Sequence, residues 1–174
     1  TKIDVKKQDL PQSRMKLIFI IDEGDPVKVN KINFIGNKMF SDDDLRSVIL
    51  TKEASLIRIF GSSIFRKENV ELDKSKLLKF YNTRGYVDFK VISYRTDLLP
   101  DYSGFNLNII INEGQRYKIR KIIFDNNVLK LNDEKIKKTL SVNEGDFYDS
   151  RALSESVNIL NETLGSEGFS FVKI

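Results

Sequence analysis

The chain has 174 residues, of which 40% are hydrophobic, and it contains no Cys, no His and no Trp. That apolar content is typical of a folded soluble protein and argues against disorder. Without His or Cys, the chain has no Ser-His-Asp triad, no thiol nucleophile, no zinc site of His or Cys ligands and no disulfide. We therefore expect neither an enzyme nor a bound cofactor or metal.

The charge of the chain is only slightly basic. Lys and Arg total 29 against 25 Asp and Glu, which gives a net charge of +4. The two signs are interspersed, as on a solvated surface. No apolar run reaches the roughly 18 residues that a membrane-spanning helix needs, and the first ten residues lack the apolar core of a signal peptide. These features predict a soluble globular chain.

Two strands are predicted first. From Met15 to Ile21, large apolar residues alternate with their neighbours, which is the pattern of a strand with one buried face. Glu23-Gly24 then turns the chain into a second strand, Val27–Ile35. The buried parity of this second strand changes between Val29 and Ile32, and such a change predicts a β-bulge.

A helix is predicted after Ser41, which is a good N-cap residue. Asp42, Asp43 and Asp44 follow it and are also a candidate metal cluster. Adjacent residues splay around a helix and do not converge on one ion, so we interpret these acids as charges that stabilise the helix N-terminus. The predicted inward face consists of Leu45, Val48 and Ile49.

The connection from Glu53 to Lys67 carries six large apolar side chains, which is more than a solvated loop needs. We interpret them as an extension of the core. The alternative is an apolar patch that contacts a partner. The candidate patch residues are Leu56, Ile59, Phe60 and Phe65.

A second helix is predicted from Lys67 to Thr83, and Gly85 lies where this helix should end. A strand from Tyr86 to about Thr96 follows, and Pro100–Gly104 forms a turn into a closing strand. The chain from Val27 to Asn112 is therefore predicted to be one β-α-α-β-β unit.

The same order of residues then starts a second time. The sequence MKLIFIIDEGDPVKVNKINFIGN from Met15 is matched by FNLNIIINEGQRYKIRKIIFDNN from Phe105, and the helix that ends at Gly85-Tyr86 has a counterpart that ends at Gly168-Phe169. Two matched blocks in one order indicate a tandem repeat. The second unit is predicted to have a short helix capped by Asn132 and a long helix that begins after Asp149 and shows Leu153, Val157, Leu160 and Leu164 at helical spacing.

The repeat divides the chain into three parts. Residues 1–24 are expected to be the end of a preceding unit, represented by its last strand. Residues 25–113 form a complete unit, and residues 114–174 form a following unit that stops before its last strand. We therefore interpret the chain as a window cut from a longer tandem array.

This pattern resembles the polypeptide-transport-associated (POTRA) domain. The resemblance rests on Glu-Gly before each unit, on Gly36-Asn37 after the first strand and on Arg84-Gly85-Tyr86 at the end of the long helix. The chain looks most like the third and fourth of the tandem POTRA domains of outer membrane β-barrel assembly factors. The resemblance implies an α+β fold of tandem β-α-α-β-β modules, each a small mixed three-stranded sheet covered by two helices on one face.

The resemblance also implies a function. POTRA arrays of this kind are periplasmic docking scaffolds in front of a membrane β-barrel, which is absent from this chain. The implied partners are unfolded outer membrane β-barrel proteins and accessory assembly lipoproteins, with no nucleic acid and no catalytic residue. The second strand of such a module lies at a sheet edge, where an extended client can add through backbone hydrogen bonds, a mode called β-augmentation.

The candidate edge in this chain is the strand predicted from Tyr86 to Thr96. The alternative interpretation is that its charged residues prevent edge pairing rather than support it. The candidate partner-binding residues are Asp88, Phe89, Lys90, Val91, Ile92, Ser93, Tyr94 and Arg95.

Two further interpretations stay open. A nucleic-acid-binding repeat is the alternative function, but it would need a Gly-x-x-Gly loop and a basic face, and Gly61-Ser-Ser-Ile lacks the second glycine. The second interpretation is a homodimer. Since Met15–Ile21 is a strand without its own unit and the second unit lacks its last strand, one copy of the chain is able to complete the sheet of another by strand exchange.

Overall fold

The structure is a computed structural model, and it describes residues 2–11, 14–22, 28–54, 67–124 and 133–166. The predicted apolar patch of Leu56, Ile59, Phe60 and Phe65 lies outside the described residues. The described elements, in chain order, are β1 (Lys2–Leu10), β2 (Arg14–Asp22), β3 (Lys28–Ile35), α1 (Asp42–Val48), α2 (Lys67–Asn82), β4 (Lys90–Leu98), β5 (Gly104–Asn112), α3 (Asp133–Lys137) and α4 (Ser150–Ser166).

β1 and β2 form an antiparallel hairpin. Lys2 faces Asp22 at its open end, and Leu10 faces Arg14 next to the turn. β2 covers the first predicted strand, whereas β1 is not predicted, because its sequence KIDVKKQDL is mostly polar. A strand of this composition depends on the backbone hydrogen bonds to its partner more than on an apolar face of its own.

The other sheet has three strands in the order β3-β5-β4. β5 lies at the centre, parallel to β3 and antiparallel to β4. The register of β3 shifts between Val29 and Lys31, at the position where the change of buried parity predicts a bulge. This small mixed sheet confirms the predicted fold class.

α1 begins directly after Ser41, as predicted. The Asp44 N–H donates to the Ser41 hydroxyl at 3.2 Å, and the Ser41 N–H donates to the Asp44 carboxylate at 3.0 Å, which is a capping box. These hydrogen bonds from Ser41 hold the pKa of Asp44 below its usual value. Asp43 forms an ion pair with Arg46 at 2.6 Å. Both acids therefore have structural partners within the helix.

β4 begins at Lys90 rather than at Tyr86, so the predicted start of this strand is wrong. The Tyr86 N–H donates to the Tyr81 carbonyl at 3.1 Å, and the Phe89 N–H donates to the Tyr86 carbonyl at 3.3 Å, so both amides belong to a turn. Both rings are nevertheless buried. Gly85, with a φ of 97°, ends α2 as predicted.

The core lies between the three-stranded sheet and the helices α1 and α2. Alternate residues of β5 are buried, and those between them are half-buried. Leu45 of α1 and Leu77 and Tyr81 of α2 pack into the same cluster. The helices therefore cover one face of the sheet, as the fold class predicts. The buried apolar core consists of Val29, Ile32, Phe34, Leu45, Ile49, Leu77, Tyr81, Tyr86, Phe89, Phe105, Leu107, Ile109 and Ile111.

The second unit differs from its prediction at the first strand. The segment 117–124 forms only an isolated antiparallel bridge, between Lys118 and Phe147. Beside this bridge, the Ile119 N–H donates to the Asp146 carbonyl at 2.8 Å. A strand requires a ladder of such bonds. Among the described residues, the backbone bonds of 117–124 to the partner segment involve only residues 145–148, which are too few to form a strand.

α4 is the long helix predicted for the second unit. Of its four apolar residues at helical spacing, Leu164 is buried and Val157 and Leu160 are half-buried. Leu153 is 42% exposed. It lies in the first turn of the helix, where fewer neighbours surround a side chain.

Candidate docking edge and the joint beside it

The order of the sheet places β3 and β4 at its two edges. The outer edge of β3 is closed by side chains at Ile32. The Ile32 N–H donates to Glu53 Oε1 at 2.8 Å, and Arg46 Nη1 donates to the Ile32 carbonyl at 2.7 Å. Arg46 and Glu53 also form an ion pair at 3.8 Å. Two charged side chains thus occupy the backbone groups with which another strand would pair.

The same edge is closed on either side of Ile32. The Phe34 N–H donates to Asp42 Oδ2 at 3.2 Å, and the Ala54 N–H donates to the Val29 carbonyl at 2.7 Å. All of these partners come from α1 or from the connection that follows it, at Glu53 and Ala54. The first helix and its C-terminal connection therefore seal β3.

The outer edge of β4 is open. β4 pairs with β5, and on its other side none of the described residues binds its backbone. The register shifts between Val91 and Ser93, so Ile92 is a bulged residue, and its side chain is 58% exposed. Within the described part of the chain, β4 is thus the strand with the open edge, and it carries most of the predicted partner-binding residues.

Not all of the predicted partner-binding residues lie on that edge. Asp88 and Phe89 belong to the turn before β4. Phe89 is buried and stacks on Tyr81 with ring centroids 4.0 Å apart, so it is a core residue. On β4 itself, Val91 and Tyr94 pack against the core, whereas Lys90, Ile92, Ser93 and Arg95 are exposed.

A groove of about 380 Å³ lies between α2 and the start of β4, and we call it the α2–β4 groove. Tyr94 joins the two elements further along, since its hydroxyl donates to the Val70 carbonyl at 3.3 Å. Burial raises the pKa of Tyr94 to about 12, and the nearby charges of Asp73 and Glu71 add to the shift. Tyr94 is therefore a neutral hydrogen-bond donor at physiological pH.

The face of the sheet that is opposite the helices is polar. Asn33 Nδ2 donates to Asn108 Oδ1 at 2.9 Å, and Asn108 Nδ2 donates to Asp97 Oδ2 at 2.7 Å, so one row of hydrogen bonds crosses all three strands. Asn30 donates to Asn106 in the same way at 2.9 Å. Because these amides satisfy one another, a client gains little by replacing their bonds. The edge, and not this face, is the candidate site.

The Glu-Gly motif at the end of β5 is a structural anchor. Glu113 is buried, and its Oε1 accepts hydrogen bonds from the Tyr81 hydroxyl at 2.9 Å and from the Met39 N–H at 3.2 Å. Burial raises the pKa of Tyr81, and the bond to Glu113 raises it further. Gly114 has a φ of 71°, and a Cβ there would lie 2.9 Å from the Asp88 Cβ. The motif therefore fixes the end of the first unit against the turn before β4.

The Arg-Gly-Tyr motif holds the segment that leads into the second unit. The Gly85 carbonyl accepts a hydrogen bond from the Tyr117 N–H at 2.8 Å, and the Arg84 carbonyl accepts one from Arg116 Nε at 2.9 Å. The Tyr117 hydroxyl donates to Asp88 Oδ2 at 2.6 Å, and this bond raises the pKa of Tyr117. The motif is therefore the surface on which the link between the units rests.

The second unit holds the same link from its own side. The guanidinium carbon of Arg116 lies 3.4 Å from the centroid of the Phe147 ring, and the Lys118 ammonium lies 4.9 Å from that centroid. Cations above an aromatic face are attracted by its quadrupole. The link thus contacts both units. We call this set of contacts the joint, which consists of Arg84, Gly85, Asp88, Arg116, Tyr117 and Phe147.

The closure of the first strand is repeated in the second unit. The Ile122 N–H donates to Glu144 Oε1 at 3.1 Å, and Glu144 forms an ion pair with Lys137 at 3.0 Å. The Gly145 N–H donates to the Ile119 carbonyl at 2.7 Å. Glu144, Lys137 and the Gly145 N–H thus take the positions that Glu53, Arg46 and the Ala54 N–H have in the first unit. The tandem repeat is therefore present in the hydrogen bonds as well as in the sequence.

The residues that close β3 are not among the sequence-predicted site residues, although a signal for them exists. Leu50-Thr51 recurs as Leu140-Ser141, each followed shortly by the closing glutamate. In both units a buried residue of the long helix then binds this segment. Asp73 accepts a hydrogen bond from the Thr51 N–H at 3.2 Å, and Ser156 Oγ accepts one from the Ser141 N–H at 2.8 Å. This is a third matched block of the repeat.

Asp73 is the most buried carboxylate of the described residues, but its bonding is structural. It accepts hydrogen bonds from the Leu50 N–H at 2.5 Å and from both the N–H and the hydroxyl of Thr51. Among the described residues, no group of three or more His, Cys, Asp or Glu is placed to hold a metal ion. Asp73 therefore holds the segment after α1 against α2.

A sequence model of the POTRA domain, described as a surface antigen variable number repeat, matches residues 27–114 and 117–174. The chain belongs to the POTRA family. It is similar to the outer membrane protein assembly factor BamA of Neisseria meningitidis serogroup B, with 25% identity over 174 residues, which are 99% of this chain and 22% of the relative. For BamA of Neorickettsia risticii the identity is 26% over 177 residues, and the shares are 100% and 23%. The chain thus spans less than a quarter of these relatives.

Two solved structures share the POTRA fold of this chain. POTRA domains 3–5 of Haemophilus influenzae BamA align with a TM-score of 0.54 at 19% identity, over 94% of this chain and 60% of the other. BamA of Haemophilus ducreyi without POTRA domains 1–3 aligns with a TM-score of 0.58 at 22% identity, over 78% and 24%. One structure includes the third domain and the other begins after it. The assignment of the two units to the third and fourth POTRA domains therefore stays a prediction.

The POTRA domains of BamA lie in the periplasm, as part of an outer membrane protein, which agrees with the predicted localisation of this chain. None of the helices in the described ranges has the length and apolar content that are needed to cross a bilayer.

Proposed function

We propose that the chain is a docking scaffold, without catalytic activity, of the machinery that assembles outer membrane β-barrel proteins. The similarity to BamA supports a role in that assembly. In this proposal, unfolded barrel precursors and accessory lipoproteins bind by β-augmentation at the outer edge of β4. The observation that carries the proposal is the asymmetry of the sheet: charged side chains close β3, whereas none of the described residues pairs with the outer edge of β4.

The open edge suits clients of many sequences. A strand that adds to β4 forms main-chain hydrogen bonds, which depend little on side chains. Lys90 and Arg95 are exposed on this edge. Two such cations disfavour pairing with the same edge of another copy, since like charges would face each other, but they leave neutral or acidic strands free to bind. Lys90 and Arg95 therefore both disfavour self-pairing of this edge and favour neutral or acidic clients.

Backbone amide NMR tests this function. A ten-residue peptide with the alternating apolar and polar residues of a barrel strand is added to the whole chain. We expect chemical shift changes along Lys90–Leu98, because those amides gain hydrogen-bonded neighbours. The control is the same peptide with alternate backbone nitrogens methylated, which removes its donors and should abolish the changes. Shifts that are confined to β3 or to the β1–β2 hairpin would rule out docking at β4.

We also propose the division of the chain into residues 1–24, 25–113 and 114–174, as the end of one POTRA domain, a complete domain and a following one. The matches of the family model to residues 27–114 and 117–174 support it. Expression of residues 25–113 alone tests it, because a complete domain should unfold cooperatively in urea. A polypeptide of these residues that has no cooperative transition would contradict this division.

A strand-exchanged homodimer is the last part of the proposal. Phe19 and Ile20 of β2 are adjacent, so their side chains point to opposite faces of the hairpin, yet they are 61% and 42% exposed. The proposed occupant is the second unit of another copy, which would cover this hairpin. Light scattering at millimolar concentration should then detect dimers. A purely monomeric chain at that concentration would contradict strand exchange and leave docking at β4 unaffected.

A further inference from the structure

The α2–β4 groove lies directly beside the open edge of β4. Its volume of about 380 Å³ is within the range of sites that take a small ligand or a large side chain. Because the groove is bounded by the strand on one side and by α2 on the other, a strand that adds to β4 would run along its mouth. The groove is lined by Lys74, Leu78, Phe89, Lys90, Val91 and Ile92.

The apolar part of this lining is accessible. Leu78 is 42% exposed and Ile92 is 58% exposed, although both are large aliphatic residues. Phe89 and Val91 form the part of the lining that packs on the core. Exposed apolar surface in a concave site gains free energy when an apolar side chain covers it. The floor of the groove therefore favours a large apolar side chain of the added strand.

The charged part of the lining has a single sign. Lys74 and Lys90 are its charged residues, and no carboxylate is among the six lining residues. Lys74 contacts Glu71 at 3.9 Å, but both side chains are more than half exposed, so this pair is weak. Lys90 forms no ion pair with any of the described residues. An acidic group that lies over α2 would therefore meet the Lys74 cation with little competition.

Strand geometry relates these two preferences to each other. Side chains of a strand alternate between its two sides, and every second residue is about 7 Å further along the same side. If one residue of the added strand places its side chain in the groove, the residues two positions before and after it lie on the same side, over α2. They are the ones that pass Lys74, the charged lining residue that belongs to α2.

We propose that the α2–β4 groove selects extended segments that carry a large apolar residue with an acidic residue two positions away. This inference rests on the proposed function, because it needs a client strand on β4. It adds a sequence preference to a contact that is otherwise made by the backbone. The apolar side chain sets the register of the added strand, and the acidic residue favours that register over the one shifted by a single residue.

Three peptides test this inference on the whole chain. The first has the proposed pattern, with Leu in the groove position and Glu two residues away. In the second, Lys replaces Glu, and in the third, Ser replaces Leu. Dissociation constants come from fluorescence anisotropy, and amide NMR locates each peptide. We expect the second peptide to bind about tenfold more weakly than the first, since it loses attraction and gains repulsion. The third should also bind more weakly, because the groove stays empty.

Charge reversal on the protein supplies the matched test. Lys74→Glu should weaken the first peptide about threefold and strengthen the second. Lys76→Glu makes the same change of net charge at an exposed position of α2 that does not line the groove, and it should leave the order unchanged. The NMR spectrum of each variant shows whether it folds. High salt should reduce all of these differences, because ions screen exposed charges.

The results distinguish docking at β4 from a sequence preference of the groove. The expected order of the peptides, together with its inversion in the Lys74→Glu variant, would support the inference. Equal binding of all three peptides along β4 would overturn the sequence preference and leave docking at β4 standing. A stronger affinity for the Lys peptide in the unchanged protein would also overturn it. If no peptide perturbs β4, the proposed function fails and the inference fails with it.

Discussion

At the residue scale, the contact between the two units depends on a glycine. Gly85 and Gly145 have nearly the same positive φ, of 97° and 94°. Their surroundings differ, because a Cβ on Gly85 would lie 2.9 Å from Arg116 Cγ, whereas a Cβ on Gly145 would have no described neighbour within 4 Å. Substitution of the two residues therefore separates the cost of the backbone conformation from the cost of the close approach.

We predict that Gly145→Ala lowers the free energy of unfolding of its unit by about 1 kcal/mol, since an L-residue is strained at positive φ. Gly85→Ala should lower it by about 2 kcal/mol or more, because the added methyl group also pushes the Arg116 side chain away. Urea unfolding, followed through the amide signals of each unit, measures both values. Equal costs would mean that the link does not rest closely on Gly85.

Tyr94 gives the first unit a dependence on alkaline pH. Burial raises the pKa of Tyr94 from 10.0 to about 12 in the folded chain. The unfolded chain therefore loses this proton near pH 10 and the folded chain only near pH 12. Between these values the unfolded state binds fewer protons, so the free energy of unfolding falls as pH rises. Below pH 10 the contribution of Tyr94 to stability is fully present.

The prediction is that Tyr94→Phe makes this fall less steep. Urea unfolding at intervals from pH 9 to pH 12 measures the slope, and Tyr81, which is unchanged in the variant, contributes equally to both curves. At neutral pH the variant should lose about 1 kcal/mol with the hydrogen bond to the Val70 carbonyl. Tyr102→Phe, at a position that is 79% exposed, is the control and should leave the slope as it is. Parallel curves for the Tyr94 variant and the unchanged chain would contradict the prediction.

At the scale of the elements, β3 is kept out of edge pairing by Glu53. We predict that Glu53→Ala lowers the free energy of unfolding by about 1–3 kcal/mol, because it leaves the Ile32 N–H and part of the Arg46 charge without their partner. It should also increase self-association, since it frees the Ile32 N–H on the outer edge of β3. Urea unfolding and sedimentation velocity measure the two effects. Glu53→Gln keeps an acceptor oxygen and is the control, which should stay close to the unchanged chain in both. A Glu53→Ala variant that is as stable and as monomeric would show that β3 is not sealed by this residue.

An element can be predicted from the sequence when the residues that determine it are close to it in the chain. The bulge after Val29 and the helix start at Ser41 are predictable because each is determined by residues within one turn or two. β1 is not predictable, because its polar sequence becomes a strand only through pairing with β2. The start of β4 is misplaced because Tyr86 and Phe89 have the apolar pattern of a strand but are buried from a turn.

The candidate site shows the same limit. Its strand is suggested by chain order and by the POTRA resemblance, and the structure does contain an exposed edge there. The reason that β4 and not β3 is open lies in contacts between Ile32 and residues of α1 and its connection, 14 and 21 positions away. Side-chain reach across such a separation is set by packing, which no local pattern encodes. The glutamate that recurs in both units, Glu53 and Glu144, is a sequence signal for this closure. It can be interpreted only when the strand whose N–H it binds is known.

At the scale of the whole molecule, the joint decides how the open edge is presented to a client. The link is bound to the first unit through the Gly85 and Arg84 carbonyls and to the second through the Phe147 ring. A link with contacts to both neighbours restricts their relative rotation, whereas a free segment of the same length would not. The structure therefore predicts that both units tumble as one body in solution.

Arg116→Ala tests the joint, because this side chain both donates to the Arg84 carbonyl and stacks on Phe147. In the unchanged chain, residual dipolar couplings of both units should fit one common alignment tensor. In the variant, the couplings of the second unit should shrink and require a separate tensor, because the unit then reorients relative to the first. Arg120→Ala removes an exposed cation four residues on, without a described hydrogen bond or ion pair, and should keep the common tensor. If Arg116→Ala also keeps it, the backbone bond from the Tyr117 N–H to the Gly85 carbonyl is sufficient to hold the units, and the arginine only covers it.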